Sequence, residues 1–127
     1  MSGKLGWQMD KALIVDDEID ICMLLAAQLQ KLGFHPSFCL SIKEANEKLS
    51  MTTYDIVFVD LNLPDGSGYD LIYSLRTIDK TVKIVVISAY EAERQKVMEA
   101  GASLYIPKPF TGNSIRAALK ELNFTGN

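Results

Sequence analysis

The chain has 127 residues, of which 48% are hydrophobic and 23% charged, with a formal net charge of -3. This length predicts one domain with a substantial buried core. The acidic balance, with no basic cluster, argues against broad electrostatic binding of nucleic acid or anionic membrane by this domain alone. No apolar stretch reaches membrane-spanning length, and the N-terminus lacks the basic start and apolar core of a secretory signal, so a cytoplasmic location is expected. Cys22 and Cys39 have no metal-ligand or redox-motif spacing, which reads as reduced thiols in the interior.

In chain order, residues 1–10, including Trp7, lack periodicity and read as a lead-in. A first strand at 12–15 (Ala-Leu-Ile-Val) ends at Asp16 and Asp17. Ile21, Leu25, Leu29 and Leu32 then recur at near-helical spacing up to Gly33. Residues 34–39 form a short strand whose Pro36 suits a sheet edge, with His35 on the surface. Ser41 and Glu44 match a capping box for a helix running to about Leu49. The run Ile-Val-Phe-Val closes at Asp60 and passes into a Pro-Asp-Gly-Ser-Gly loop, after which Tyr69, Leu71, Ile72 and Leu75 mark a third helix. A fourth strand at 83–87 ends at Ser88, and a mostly polar fourth helix spans 90–100, stopped by Gly101. A fifth strand at 103–106 ends at Pro107, Lys108 and Pro109, and Thr111 caps a last helix with Ile115, Leu119 and Leu122 on its apolar face.

Five strand-then-helix units predict an α/β fold with a parallel sheet covered on both faces. In the five-stranded flavodoxin-like order 2-1-3-4-5, ligands gather beyond the carboxyl ends of the strands, at the switch point between strands 1 and 3. That edge collects Asp16, Asp17, Asp60, Ser88 and Lys108. Two carboxylates about 4 Å apart repel by roughly 4 kcal/mol at an effective dielectric near 20, so the cluster needs cations. Lys108 supplies one, and the oxygen-rich remainder suits Mg²⁺. Metal, ammonium, hydroxyl and carboxylate together are equipment for phosphoryl transfer, with a carboxylate as nucleophile. Taken singly, each residue has a plainer reading: Asp16 and Asp17 as a helix N-cap with a solvated neighbour, Asp60 as a loop acid, Ser88 as a helix cap. Their joint placement on four strand ends favours a site.

The residues Val15-Asp-Asp-Glu18, Asp60-Leu-Asn-Leu-Pro64-Asp-Gly-Ser-Gly68, Ser88-Ala89 and Lys108-Pro-Phe110 resemble the response-regulator receiver domain of two-component signalling. The resemblance covers 11–123, leaving 124–127 as a tail. It implies that Asp60 accepts a phosphoryl group from a sensor histidine kinase or histidine phosphotransfer protein. It also implies Mg²⁺ held by Asp17, Asp60 and the Asn62 carbonyl, with Asp16 acting through water. Lys108, before a cis Pro109, would pair with the phosphoryl oxygens, and Ser88 and Tyr105 would form the switch. Asn62 and Tyr90 occupy positions that affect phosphoryl lifetime. The output surface would be helix 4, strand 5 and helix 5, with Arg94, Tyr105 and Lys120, facing a downstream protein target.

Such a domain is not a conventional enzyme, although it assists its own phosphorylation and dephosphorylation. The alternatives are a metal-dependent phosphatase with an aspartyl-phosphate intermediate, a nucleotide-binding domain, and a pseudo-receiver. The first lacks its Asp-x-Asp-x-Thr pattern, and the second lacks a glycine-rich fingerprint after strand 1. The third is disfavoured because every key position is filled. Either a stand-alone receiver or a piece of a longer regulator fits the sequence.

Overall fold

The computed structural model of the protein describes residues 9–124; residues 1–8 of the lead-in, with Trp7, lie outside them, and Asp10, read from sequence as lead-in, begins the first strand. Its main sheet is fully parallel, in the order β2-β1-β3-β6-β7, from β1 (Asp10–Val15), β2 (Phe34–Cys39), β3 (Ile56–Val59), β6 (Lys83–Ser88) and β7 (Leu104–Pro107). This is the expected order, renumbered because a small antiparallel pair, β4 (Asn62–Leu63) and β5 (Gly66–Ser67), occupies what the sequence reads as loop. β2 is an edge strand, where Pro36 costs no ladder bond, and His35 is exposed.

The helices are α1 (Ile19–Lys31), α2 (Ile42–Met51), α3 (Gly68–Ile78), α4 (Arg94–Ala100) and α5 (Gly112–Glu121). The central strands are buried on both faces, so their residues alternate between two cores. Leu13, Val15, Val57, Val59, Ile84 and Val86 pack with Ala45 of α2, Leu71, Ile72 and Leu75 of α3 and Val97 of α4. Ala12, Ile14, Ile56, Phe58, Val85 and Ile87 pack with Cys22, Leu25 and Leu29 of α1 and Ile115 and Leu119 of α5. Phe124, assigned by sequence to the tail, packs edge-on against Phe34 with ring centroids 5.3 Å apart.

Local differences from expectation have local causes. The deep face of α1 is Cys22, Leu25 and Leu29, and Ile21 is only half-buried. Asp16 and Asp17 do not cap α1. Glu18 occupies the N-cap position without a side-chain cap, and an Asp16 oxygen accepts from the Glu18 N–H at 2.9 Å. The predicted helix 90–100 divides into a 3₁₀ turn, Glu91–Glu93, and α4, and Tyr90 stays outside both, with its N–H donating to the Ser88 Oγ. The Ser41 and Glu44 box is half made. The Ser41 Oγ accepts from the Glu44 N–H at 3.2 Å, but the Glu44 carboxylate reaches one residue further back, to the Leu40 N–H at 2.9 Å. At α5 the box is complete, with Thr111 and Ser114 as partners.

Candidate functional site

The sheet ladder runs one residue beyond several strands and so places charged groups by backbone geometry. The Asp16 N–H donates to the Cys39 carbonyl at 3.2 Å, the Asp60 N–H to the Val15 carbonyl at 2.9 Å, and the Lys108 N–H to the Ser88 carbonyl at 2.9 Å. Since Val15 registers with Val59, Asp16 and Asp60 emerge side by side. Among the described residues, the buried polar side chains are Asp16, Asp60 and Ser88, three of the residues picked from sequence. Buried polar groups are uncommon without partners or a task, and here they share one edge.

Lys108 is the hub. Its Nζ lies 3.0 Å from Asp16 Oδ2, 3.1 Å from Glu18 Oε1 and 3.5 Å from Asp60 Oδ2, with the lysine side chain 14% exposed. Burial alone would lower its pKa; hydrogen bonds to Asp16 and Glu18, with the Asp60 charge, outweigh that and raise it. Asp60 shifts upward, first through desolvation and then through the Asp16 charge, against opposing pulls from Lys108 and the Asn62 and Leu61 N–H groups. The Lys108–Pro109 peptide is cis. A cleft of about 270 Å³ opens over these groups, lined by Asp17, Glu18, Asp60, Asn62, Ala89, Tyr90 and Lys108.

Asp16, Asp17, Glu18 and Asp60 each bring a carboxylate oxygen within 4.8 Å of the others. Four carboxylates face one ammonium, so the site carries excess negative charge. Hard, convergent oxygen donors on that scale fit a hard divalent cation such as Mg²⁺. Ser88 is 1% exposed, and its Oγ accepts from the Tyr90 N–H at 3.1 Å. Its carbonyl also accepts from the Tyr105 hydroxyl at 2.9 Å, with the Tyr105 ring packed inward beneath the Arg94 guanidinium, 4.7 Å from the ring centroid. Tyr90 stands 57% exposed at the mouth of the cleft.

Residues 12–120 match the family described as the response regulator receiver domain. The chain belongs to that family. It is 36% identical to the response regulator protein PilR of Pseudomonas aeruginosa over 101 residues, covering 78% of this chain and 23% of that protein. It is 34% identical to the transcriptional regulatory protein PhoP of Escherichia coli, covering 88% of this chain and 51% of PhoP. The receiver domain therefore spans about half or less of the length of these curated relatives. Among solved structures, a CheY-like receiver domain from Methylobacillus flagellatus superposes with a TM-score of 0.83 at 32% identity, covering 91% of this chain and 99% of that one. The response regulator TrrA of Thermotoga maritima, solved in complex with Mg²⁺-BeF, superposes with a TM-score of 0.82 at 31% identity, covering 90% and 99%. This chain is thus a receiver domain of a two-component response regulator, a signalling module of the kind that partners with histidine kinases. None of its described helices is long and apolar enough to cross a membrane.

The geometry also exposes roles that sequence reasoning left unassigned. Glu18 shares Lys108 with the two buried acids, and its signal was the third acid in the run after strand 1. Gly68 is fixed by close approach, since a Cβ there would sit 2.3 Å from the Asp60 carbonyl oxygen. No local pattern announces that contact, because it forms only when α3 closes against the end of β3.

Proposed function

We propose that Asp60 is the phosphoacceptor of this receiver domain. The observation that carries the proposal is the meeting of a buried strand-end carboxylate with Lys108, the Asp16 and Asp17 acids and the Ser88 strand end on one sheet edge. An Asp60 carboxylate oxygen attacks the phosphorus of a phosphohistidine on a partner protein. The new P–O bond forms as the P–N bond breaks, and the imidazole leaves with the electron pair. Asp17, Asp60 and the Asn62 carbonyl would hold Mg²⁺, with Asp16 acting through water; when bound, the ion supplies positive charge to the transferring oxygens. Lys108 supplies a second positive charge, released in part from Asp16 and Glu18. Hydrolysis is a second displacement at the same phosphorus: water attacks, the P–O bond to Asp60 breaks with its electron pair going to the carboxylate, and inorganic phosphate leaves. Tyr90 at the mouth of the cleft shields the acyl phosphate from that water.

The Ser88 hydroxyl is free to rotate toward new phosphoryl oxygens, giving up the Tyr90 N–H. That change acts on the turn ahead of α4 and on the Tyr105 contact, and so biases the α4-β7-α5 face, including Arg94, Tyr105 and Lys120, toward a downstream protein. The half-exposed apolar Ile19 and Met23, at the start of α1 beside the acidic run, suit contact with the phosphodonor protein. No observation favours the phosphatase alternative.

The test is intact mass after incubation with acetyl phosphate and Mg²⁺. Wild type should gain one phosphoryl group and Asp60→Asn none. A gain in both proteins would move the acceptor elsewhere.

A further inference from the structure

The acceptor loop is tied to an element that shares no part of the cleft. Asp65, at the tip of the β4-β5 hairpin, accepts from the Ile42 and Lys43 N–H groups, both at 2.9 Å. Those are the first two residues of α2, more than twenty positions away in sequence. The helix already has help of its own, since Ser41 takes the Glu44 N–H and Glu44 takes the Leu40 N–H. The Ile42 and Lys43 N–H groups could be met by water at this exposed end. They are met instead by a carboxylate from the other side of the acceptor, and both contacts hold that carboxyl below its ordinary range.

The hairpin needs such an anchor. It has two residue pairs, Asn62 with Ser67 and Leu63 with Gly66, and a ladder that short does not hold itself. At its base, the Gly68 N–H donates to the Leu61 carbonyl at 2.9 Å and Ser67 caps α3. At its tip, Gly66 lies against α2 with φ of +154°, and a Cβ there would sit 2.9 Å from the Ile42 Cδ1. Asp65 therefore closes the tip of a loop whose first residue is Asn62.

We infer that Asp65 is a positioning residue for the acceptor site: by clamping the hairpin tip to the N-terminus of α2, it fixes where the Asn62 carbonyl points. The inference rests on the acceptor-site reading above, in which that carbonyl faces the cation. Groups that orient metal ligands act through small displacements, and their loss weakens metal affinity while the ligands themselves remain.

The experiment compares the full chain with Asp65→Ala, Asp65→Asn and Ser41→Ala, reading Mg²⁺ affinity from the amide shifts of Asn62 and Leu63 and stability from urea unfolding. Ser41→Ala serves as control, because it removes a cap from the same helix without touching the hairpin. Asp65→Ala should weaken Mg²⁺ binding about tenfold and Asp65→Asn less, since its amide oxygen still accepts one bond. Ser41→Ala should lose stability with Mg²⁺ affinity intact. If Asp65→Ala and Asp65→Asn lose stability but bind Mg²⁺ as wild type does, Asp65 is a helix cap alone and the inference is wrong. If wild type binds no Mg²⁺, the acceptor-site reading has failed and the inference goes with it, an outcome separate from the first.

Discussion

At Asp60, desolvation and the Asp16 charge work against ionisation, while Lys108 and two backbone N–H groups favour it, and the upward pressure wins. An acid whose folded pKa is raised costs stability when ionised, and the cost fades as pH falls and the group protonates. Asp60→Asn should therefore stabilise the metal-free domain at pH 7, measured by urea unfolding. The gain should shrink with falling pH and be gone below about pH 3.9, where both folded and unfolded Asp60 are neutral. Asp65 behaves oppositely, because its depressed pKa gives stability that is present above the unfolded value and lost as pH falls through the folded one. Glu18 offers a test of the lysine hub. Its side chain is 61% exposed, so its hold on Lys108 is screened and modest. Glu18→Gln should speed phosphorylation by acetyl phosphate about two- to fivefold, within the range of an exposed pair. An unchanged rate would show that Lys108 is already free enough.

Among the elements, α3 carries the most one-sided load. Arg76 donates to the Gly101 carbonyl at 2.8 Å, the Val82 carbonyl at 2.6 Å and the Ser103 Oγ at 3.3 Å, joining α3 to the turns that lead into β6 and β7. Arg76→Ala would strand those partly buried acceptors. It should cost about 2–3 kcal/mol by urea unfolding, and Arg76→Lys should recover only part, since one ammonium cannot span three acceptors. The same element shows what sequence can carry. Leu71, Ile72 and Leu75 announce its buried face by spacing, and Ser67 caps it locally. Arg76 gives no signal, because its partners lie up to 27 residues away. The site divides in the same way. Asp16, Asp60, Ser88 and Lys108 are legible because each ends or follows an apolar strand, and the alternation of elements dictates that those ends meet. Asp65 and Glu18 are not, since a turn acid and the third of three acids look the same whether or not they grip something distant.

At the scale of the whole molecule, the two cores are apolar and closed, and the buried polar side chains among the described residues gather at the carboxyl edge of the sheet. One further pair of groups reports on that edge. The Cys22 Sγ donates to the Asp16 carbonyl at 3.2 Å, and the Cys39 carbonyl accepts from the Asp16 N–H. Both cysteines thus touch the backbone of a single acid. Burial, first of all, pushes the Cys22 thiol up to about 12 and the Cys39 thiol to about 11. At pH 8 even the lower of these leaves only about one thiol in a thousand ionised, so a disulfide reagent should find the folded protein nearly inert. Labelling then proceeds when α1 or the end of β2 lifts away and exposes its thiol, and its rate measures how often that happens. Added Mg²⁺ should slow labelling, because a ligand of the folded state reduces the open population; acceleration would mean that the ion prises the edge apart. The two sulfurs, idle in the chemistry of the site, are a chronometer for its breathing.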